Sequence, residues 1–316
     1  MRSFLSAWLG VLVFFGLSTT FAQYRRPDLS SGGLLQRSVR VGGLDRTFVV
    51  FVPSTASVNK RYPLVFVFHG GGGSGRHVES SLAFSELAER EKFIAVYPDG
   101  VGNGWNDGRE SVRIRAQADR VDDLGFVEQM ITVMQREYAI DEKRIYATGI
   151  SNGGIFTHYV GANLSEKFAA IAPVVGGIAE PFVKRFAPKG SVSVLIIQGT
   201  DDALVPYDGG PVARNRGNVV STDEAVRLWA ASNKTDRKPV IANLPDMDRS
   251  DGCTAETYLW TNGKGKTEVK LFKLIGGGHT WPGSAQNSRS DLVGNVCRDF
   301  GATATIWEFF KGHPKQ

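Results

Sequence analysis

Gly149-Ile150-Ser151-Asn152-Gly153 is a G-x-S-x-G pentapeptide, and its flanks give it chemical meaning. Arg144-Ile145-Tyr146-Ala147-Thr148 precedes it, a β-branched and aromatic stretch that reads as a buried strand. Ile155 to Leu164 follows it, with apolar residues spaced to face one side of a helix. A bare G-x-S-x-G is a weak signal. Between a strand and a helix it describes a sharp turn that lifts a serine hydroxyl clear of the backbone, free to attack a carbonyl carbon. A serine on so tight a turn crowds the residues two places to either side, so both must lack a side chain. The N–H of Asn152, in the first turn of the helix, points into the same space.

A serine nucleophile needs a base, an acid that orients the base, and donors for the oxyanion. The chain has five histidines. His313 lies in the tail, His158 reads as a packing residue on the helix after Ser151, and His77 has no strand context. His69 belongs to a glycine-rich loop, His69-Gly70-Gly71-Gly72-Gly73, and is expected to brace it. His279 follows a strand on the turn Gly276-Gly277-Gly278-His279 and is the candidate base. The acid should follow another strand, between serine and histidine in chain order. Asp201 and Asp202 both qualify by position. The loop at His69 lacks the G-K-[ST] ending of a phosphate cradle and opens no G-x-G-x-x-G helix, so nucleotide binding is a poor fit. Its glycines fit a backbone that approaches a substrate and offers an N–H to an oxyanion.

The elements that must position these residues can be read in order. Gln36 to Val41 and Arg46 to Val52 flank a tight turn, as in a hairpin. Pro63 to Phe68 is a continuous apolar strand. A helix over Glu79 to Lys92, a strand over Phe93 to Tyr97, and a helix from Asp122 through Tyr138 follow. Further strands are expected at Ala169 to Val175, Ser193 to Gln198 and Glu268 to Leu274, with helices at Thr222 to Ser232 and Ala302 to Lys311. Gly176 to Gly190 is too short for a large lid. Alternating strands and helices from Pro63 onward call for a mostly parallel sheet with helices on both faces.

Composition narrows the class. The chain has 316 residues, 42% hydrophobic and 22% charged, which suits one large α/β domain, expected over 34–316. The net charge of +5 is spread without a long basic run, which argues against nucleic-acid binding. Arg2, the apolar run Phe4 to Leu17 and the small-x-small site Thr20-Phe21-Ala22 describe a signal peptide over 1–22. A flexible mature N-terminus over 23–33 would follow, with no stable membrane anchor and export from the cytoplasm. Cys253 and Cys297 are the two cysteines, and in an exported chain they are expected to form a disulfide around the strand and loop that carry His279. Trp105 and Trp281 are candidate platforms for a phenolic or sugar ring, or else packing residues.

The motifs in sequence order resemble the poly(3-hydroxybutyrate) depolymerase and feruloyl-esterase-like family of α/β-hydrolases. The residues that carry the resemblance are His69-Gly70-Gly71, Tyr97-Pro98-Asp99-Gly100, Gly149 to Gly154, Gly199-Thr200-Asp201-Asp202 with Val205-Pro206-Tyr207, and Gly277 to Gly283. The resemblance implies an α/β-hydrolase fold and a serine carboxylic ester hydrolase acting outside the cell, on plant-wall phenolic or acetyl esters or on polyesters. In the family's H-G-T-x-D-x-x-V-P pattern the acid maps to Asp202, and Gln198 stands where the pattern has histidine. Ser151, Asp202 and His279 then form the triad, with oxyanion donors at Gly71 and Asn152. The implied chemistry needs no cofactor and no metal. The expected partner is an ester, small or polymeric, and the expected state a monomer. Two alternatives stay open: acyl transfer on the same fold, and a non-catalytic polymer-binding protein.

Overall fold

Every residue of the strand Tyr62–Phe68 is buried, and its side chains alternate between two separate cores. Leu64, Phe66 and Phe68 enter one, Val65 and Val67 the other. This is the period-two geometry of a strand covered on both faces. The computed structural model describes residues 32–57, 59–285 and 290–316. The expected signal peptide and nearly all of the expected mature N-terminus lie outside the described residues.

In chain order the strands are β1 (Gly33–Val41), β2 (Leu44–Val52), β3 (Tyr62–Phe68), β4 (Ile94–Pro98), β5 (Ile140–Ile150), β6 (Ala170–Val174), β7 (Ser193–Gly199), β8 (Gly210–Pro211), β9 (Asn218–Val219), β10 (Val240–Asn243), β11 (Thr254–Trp260) and β12 (Val269–Ile275). Ten of them form one sheet in the order β1-β2-β4-β3-β5-β6-β7-β12-β11-β10, and β8 and β9 make a separate small hairpin. The six central strands, β4 to β12 in that order, pair in parallel. The outer strands on both sides pair antiparallel.

The helices are α1 (Gly75–Ser81), α2 (Phe84–Glu91), α3 (Arg115–Ala118), α4 (Asp123–Glu137), α5 (Asn152–Asn163), α6 (Thr222–Asn233), α7 (Ser290–Val293) and α8 (Ala302–Gly312). One core takes Phe126 and Met130 of α4, Phe156 and Val160 of α5 and Trp229 of α6. The other takes Leu82 after α1, Phe84 and Leu87 of α2 and Ile306, Trp307 and Phe310 of α8. Helices therefore cover both faces, as alternation required. Asp122 caps α4, its Oδ1 accepting from the Gly125 N–H at 2.8 Å. Among the described residues, no helix is long and apolar enough to cross a membrane.

Two expectations need correction. The single helix over Glu79 to Lys92 is two helices, because Ala83 adopts a left-handed conformation (φ 55°) between α1 and α2. The antiparallel strands β10 and β11 escaped the sequence reading. All four residues of β10 are exposed, so no apolar alternation marks it. Between β6 and β7 the chain makes only a 3₁₀ turn at Glu180–Arg185, in keeping with an open cleft above the sheet.

Candidate active site

Ser151 stands where β5 ends and α5 begins. Its backbone has φ 59° and ψ −121°, a conformation that side chains rarely adopt and that costs on the order of 1–3 kcal/mol. The surroundings hold it there: the Ser151 N–H donates to Val174 O on β6 at 3.0 Å, and Ser151 O accepts from the Ile155 N–H at 2.9 Å. A Cβ on Gly149 would lie 2.6 Å from Gly153 O, and one on Gly153 would lie 2.3 Å from Phe68 O. Both glycines are thus fixed by close backbone approach, as the turn geometry required.

The loop after β3 lies beside this turn. A Cβ on Gly70 would sit 3.3 Å from the Ser151 Cβ. His69 braces the loop from inside: its Nε2 accepts from the Gly100 N–H at 3.0 Å, which leaves Nδ1–H to donate to Gly70 O at 2.8 Å. Burial lowers the His69 pKa and favours this neutral form. Asn103 holds the next residues, its O accepting from the Gly72 N–H at 2.7 Å and its Nδ2 donating to Gly73 O at 2.8 Å. The Asn152 side chain turns inward, with Oδ1 accepting from the Trp105 N–H at 3.0 Å and Nδ2 donating to Asp107 Oδ2 at 2.5 Å. Asp107 is buried and also takes hydrogen bonds from Arg109 and Gln117. Among the described residues, the backbone N–H groups of Gly71 and Asn152 have no protein acceptor. They are close together, since a Cβ on Gly71 would be 3.8 Å from the Asn152 Cβ.

β7 and β12 are parallel neighbours, so their following loops meet at the same sheet edge as Ser151. His279 Nδ1 lies 2.8 Å from Asp202 Oδ2 and 3.0 Å from Oδ1. The His279 side chain is 8% exposed and that of Asp202 0%. The carboxylate is fixed by three further donors: the N–H groups of Leu204 and Val205 at 2.9 and 2.8 Å, and Gln198 Nε2 at 3.0 Å. Asp201 points elsewhere; it is exposed and accepts from Thr200 Oγ1 at 2.8 Å. The choice left open by position falls geometrically to Asp202. Ser151 and His279 line one cavity of about 990 Å³, without a direct hydrogen bond between the serine hydroxyl and the imidazole. Such bonds are often looser before substrate binds.

No family model matches the chain. Feruloyl esterase B of Piromyces equi is 28% identical over 249 residues, covering 74% of this chain and 42% of its own length. NocK of Nocardia uniformis subsp. tsuyamanensis, which carries an esterase name, is 26% identical over 302 residues, covering 92% of this chain and 87% of its own. Among solved structures, acetyl xylan esterase from Aspergillus awamori superposes with a TM-score of 0.59 at 15% identity, covering 89% of this chain and 99% of that one. The chain has the α/β-hydrolase fold, and the curated relatives it matches carry esterase names.

In this fold both tryptophans are packing residues, which corrects the expectation that they are platforms for a substrate ring. Trp105 is 0% exposed, stacks on Phe156 with centroids 4.9 Å apart, and donates its Nε1–H to His69 O at 2.9 Å. Trp281 is 2% exposed, and its Nε1–H donates to Thr303 Oγ1 at 3.0 Å. Neither lines the cavity. His158 is buried, its Nδ1 accepting from Trp229 Nε1 at 3.0 Å, as a packing histidine should be. Cys253 and Cys297 stand as free thiols rather than joined, but close enough that Cys297 pushes the Cys253 thiol pKa up; Cys253 Sγ donates to Thr254 O and Cys297 Sγ to Asp299 Oδ2. Sequence reasoning missed Asp107, Gln198 and Asn103. Gln198 carried a signal, since it departs from the family pattern at the end of β7. Asp107 sits in a loop with no periodicity and carried none.

Proposed function

We propose that the protein hydrolyses carboxylic esters through Ser151, His279 and Asp202. His279 Nε2 takes the Ser151 proton as Oγ attacks the ester carbonyl. Asp202 holds the imidazole with Nδ1–H toward itself and stabilises the imidazolium that forms. The N–H groups of Gly71 and Asn152 receive the oxyanion of the tetrahedral intermediate, and the positive end of α5 adds to their field. The intermediate collapses, the alcohol leaves with the proton from His279, and an acyl-enzyme remains on Ser151. Water, deprotonated by His279, then releases the acid.

The observation that carries this reading is the strained Ser151 turn sharing one cavity with a histidine whose far nitrogen is held by a fully buried carboxylate. A binding protein has no use for a strained serine, and strain persists only where the surroundings over-determine it. Feruloyl, acetyl and 3-hydroxybutyrate esters are the substrate classes in view, met outside the cytoplasm after removal of residues 1–22. The open cleft above β6 and β7 suits a bulky or polymeric ester. Turnover of 4-nitrophenyl acetate, abolished by Ser151→Ala, tests the reading; full activity in that variant would overturn it. A side-by-side assay on methyl ferulate, acetylated xylan and 3-hydroxybutyrate oligomers then ranks the substrates.

A further inference from the structure

The cavity at Ser151 has a one-sided charge. Four arginines line it, Arg109, Arg113, Arg115 and Arg216, and among the described lining residues there is no aspartate or glutamate. Two of the four are already neutralised: Arg109 by Asp107 at 2.6 Å and Arg115 by Asp119 at 3.3 Å. Arg113 and Arg216 are not; among the described residues neither guanidinium has an ion pair or a hydrogen bond. Arg113 is exposed at the rim, whereas Arg216 is half-buried. Arg216 Nη1 lies 3.8 Å from where a Cβ on Gly71 would be, beside the N–H that faces the reacting carbonyl in the mechanism above.

Arg216 is also held in place. It sits in the turn of the β8–β9 hairpin, which is tied by the Ala213 N–H to Leu204 O at 2.9 Å, two residues past Asp202. Gly217 lies flush against Arg109, where a Cβ would meet the Arg109 Cβ at 2.9 Å. A half-buried guanidinium without a carboxylate partner, on a stitched hairpin within a substrate cavity, is a site prepared for an anion. Its planar fork matches a carboxylate by two parallel hydrogen bonds.

We infer that the substrate is an anionic ester, one whose acyl or alcohol part carries a carboxylate that Arg216 binds, with Arg113 attracting it at the rim. This rests on the hydrolase reading and adds the charge class of its substrate. The carboxylate can lie on either side of the scissile bond, and two ester pairs separate the cases. The first is mono-4-nitrophenyl glutarate against its methyl ester, with the charge on the acyl side. The second is 3-acetoxybenzoate against its methyl ester, with the charge on the alcohol side. In one pair the anionic member should have the higher kcat/KM, by about 10-fold or more at low salt. That ratio should fall toward one in Arg216→Gln, persist in part in Arg216→Lys, and shrink in about 0.5 M sodium chloride. A ratio at or below one in both pairs, or one untouched by Arg216→Gln, overturns the inference. Calorimetry on Ser151→Ala keeps the two readings apart. Glutarate should bind measurably tighter than dimethyl glutarate, and Arg216→Gln should remove the difference. If no ester is turned over while that difference holds, the hydrolase reading fails and the anion site stands; if esters are turned over without it, the anion site fails alone.

Discussion

Asp201 and Asp202 are neighbours in a single loop, yet their surroundings differ entirely. Asp202 is closed off from water and held by two backbone N–H groups, the Gln198 amide and His279. Asp201 is exposed and bonded to Thr200. Asp202→Asn should therefore lower kcat on 4-nitrophenyl acetate by about 10³–10⁴-fold, since a neutral amide cannot stabilise the charged imidazole and its N–H can donate to Nδ1, holding the wrong tautomer. Asp201→Asn should stay within about threefold, the range of an ordinary surface change. The reverse order would take the acid's role from Asp202. Gln198 is a positioning residue for this pair. Gln198→Leu leaves Asp202 Oδ2 without one donor and should lower kcat by about 10-fold with KM little changed. Gln198→His, which restores the residue of the family pattern, should recover part of that loss. Equal changes in kcat and KM, with no recovery, would mark Gln198 as merely structural.

The loop that carries His279 is glycine-rich and would be costly to order by itself. The segment Val293 to Cys297 orders it. The Gly278 N–H donates to Asn295 O at 3.0 Å, the His279 N–H to Val293 O at 2.5 Å and the Gly283 N–H to Cys297 O at 2.9 Å. Asn295 Nδ2 returns a bond to Gly276 O at 3.1 Å. Asp251 ties the same segment to the start of β11, taking the Cys253 N–H and the Arg298 N–H at 2.7 Å each. The two thiols meet at this knot. In an exported chain we expect them to close into a disulfide, which the chain-entropy model values at about 4 kcal/mol as an upper figure for a loop of roughly 45 residues. Cys297→Ser should then lower Tm, and activity should fail on heating before the sheet unfolds. Thiol titration of the denatured, unreduced protein decides the premise: none titrating supports the bridge, and two per chain would sink it.

At this scale the sequence was readable where an element buries two faces or bears a motif. β3 and β7 announced themselves as apolar runs, the second half of β5 as a β-branched and aromatic stretch, and the Ser151 turn as glycines at fixed offsets. The Ala83 break between α1 and α2 was hidden, because alanine is a good helix former, yet here it adopts a left-handed conformation. The inward clamp on Asn152 was hidden too, since Asp107 and Gln117 meet it only through folding.

Over the whole molecule the sheet divides two apolar cores, and the one beneath α4, α5 and α6 contains His158. Its Nδ1 joins the Trp229 indole and so links α5, the helix that starts at Ser151, to α6. Burial pushes the His158 pKa from 6.5 down to about 3, so the folded protein keeps it neutral across the working range. The unfolded chain does not. Below about pH 6.5 an unfolded His158 binds a proton that the native state refuses, so stability rises with pH over this interval. The stability is complete above about pH 6.5 and is lost progressively as pH falls toward about 3. Protonation would also remove the lone pair that accepts from Trp229, separating α5 from α6 and loosening the turn that carries Ser151. Urea midpoints measured between about pH 7 and pH 4 should therefore fall more steeply in the wild type than in His158→Gln, whose side chain can still accept from the indole but does not titrate. The variant starts from a lower stability because its shape differs, so the slope with pH is the quantity to compare. Parallel slopes would place the acid sensitivity of this fold elsewhere.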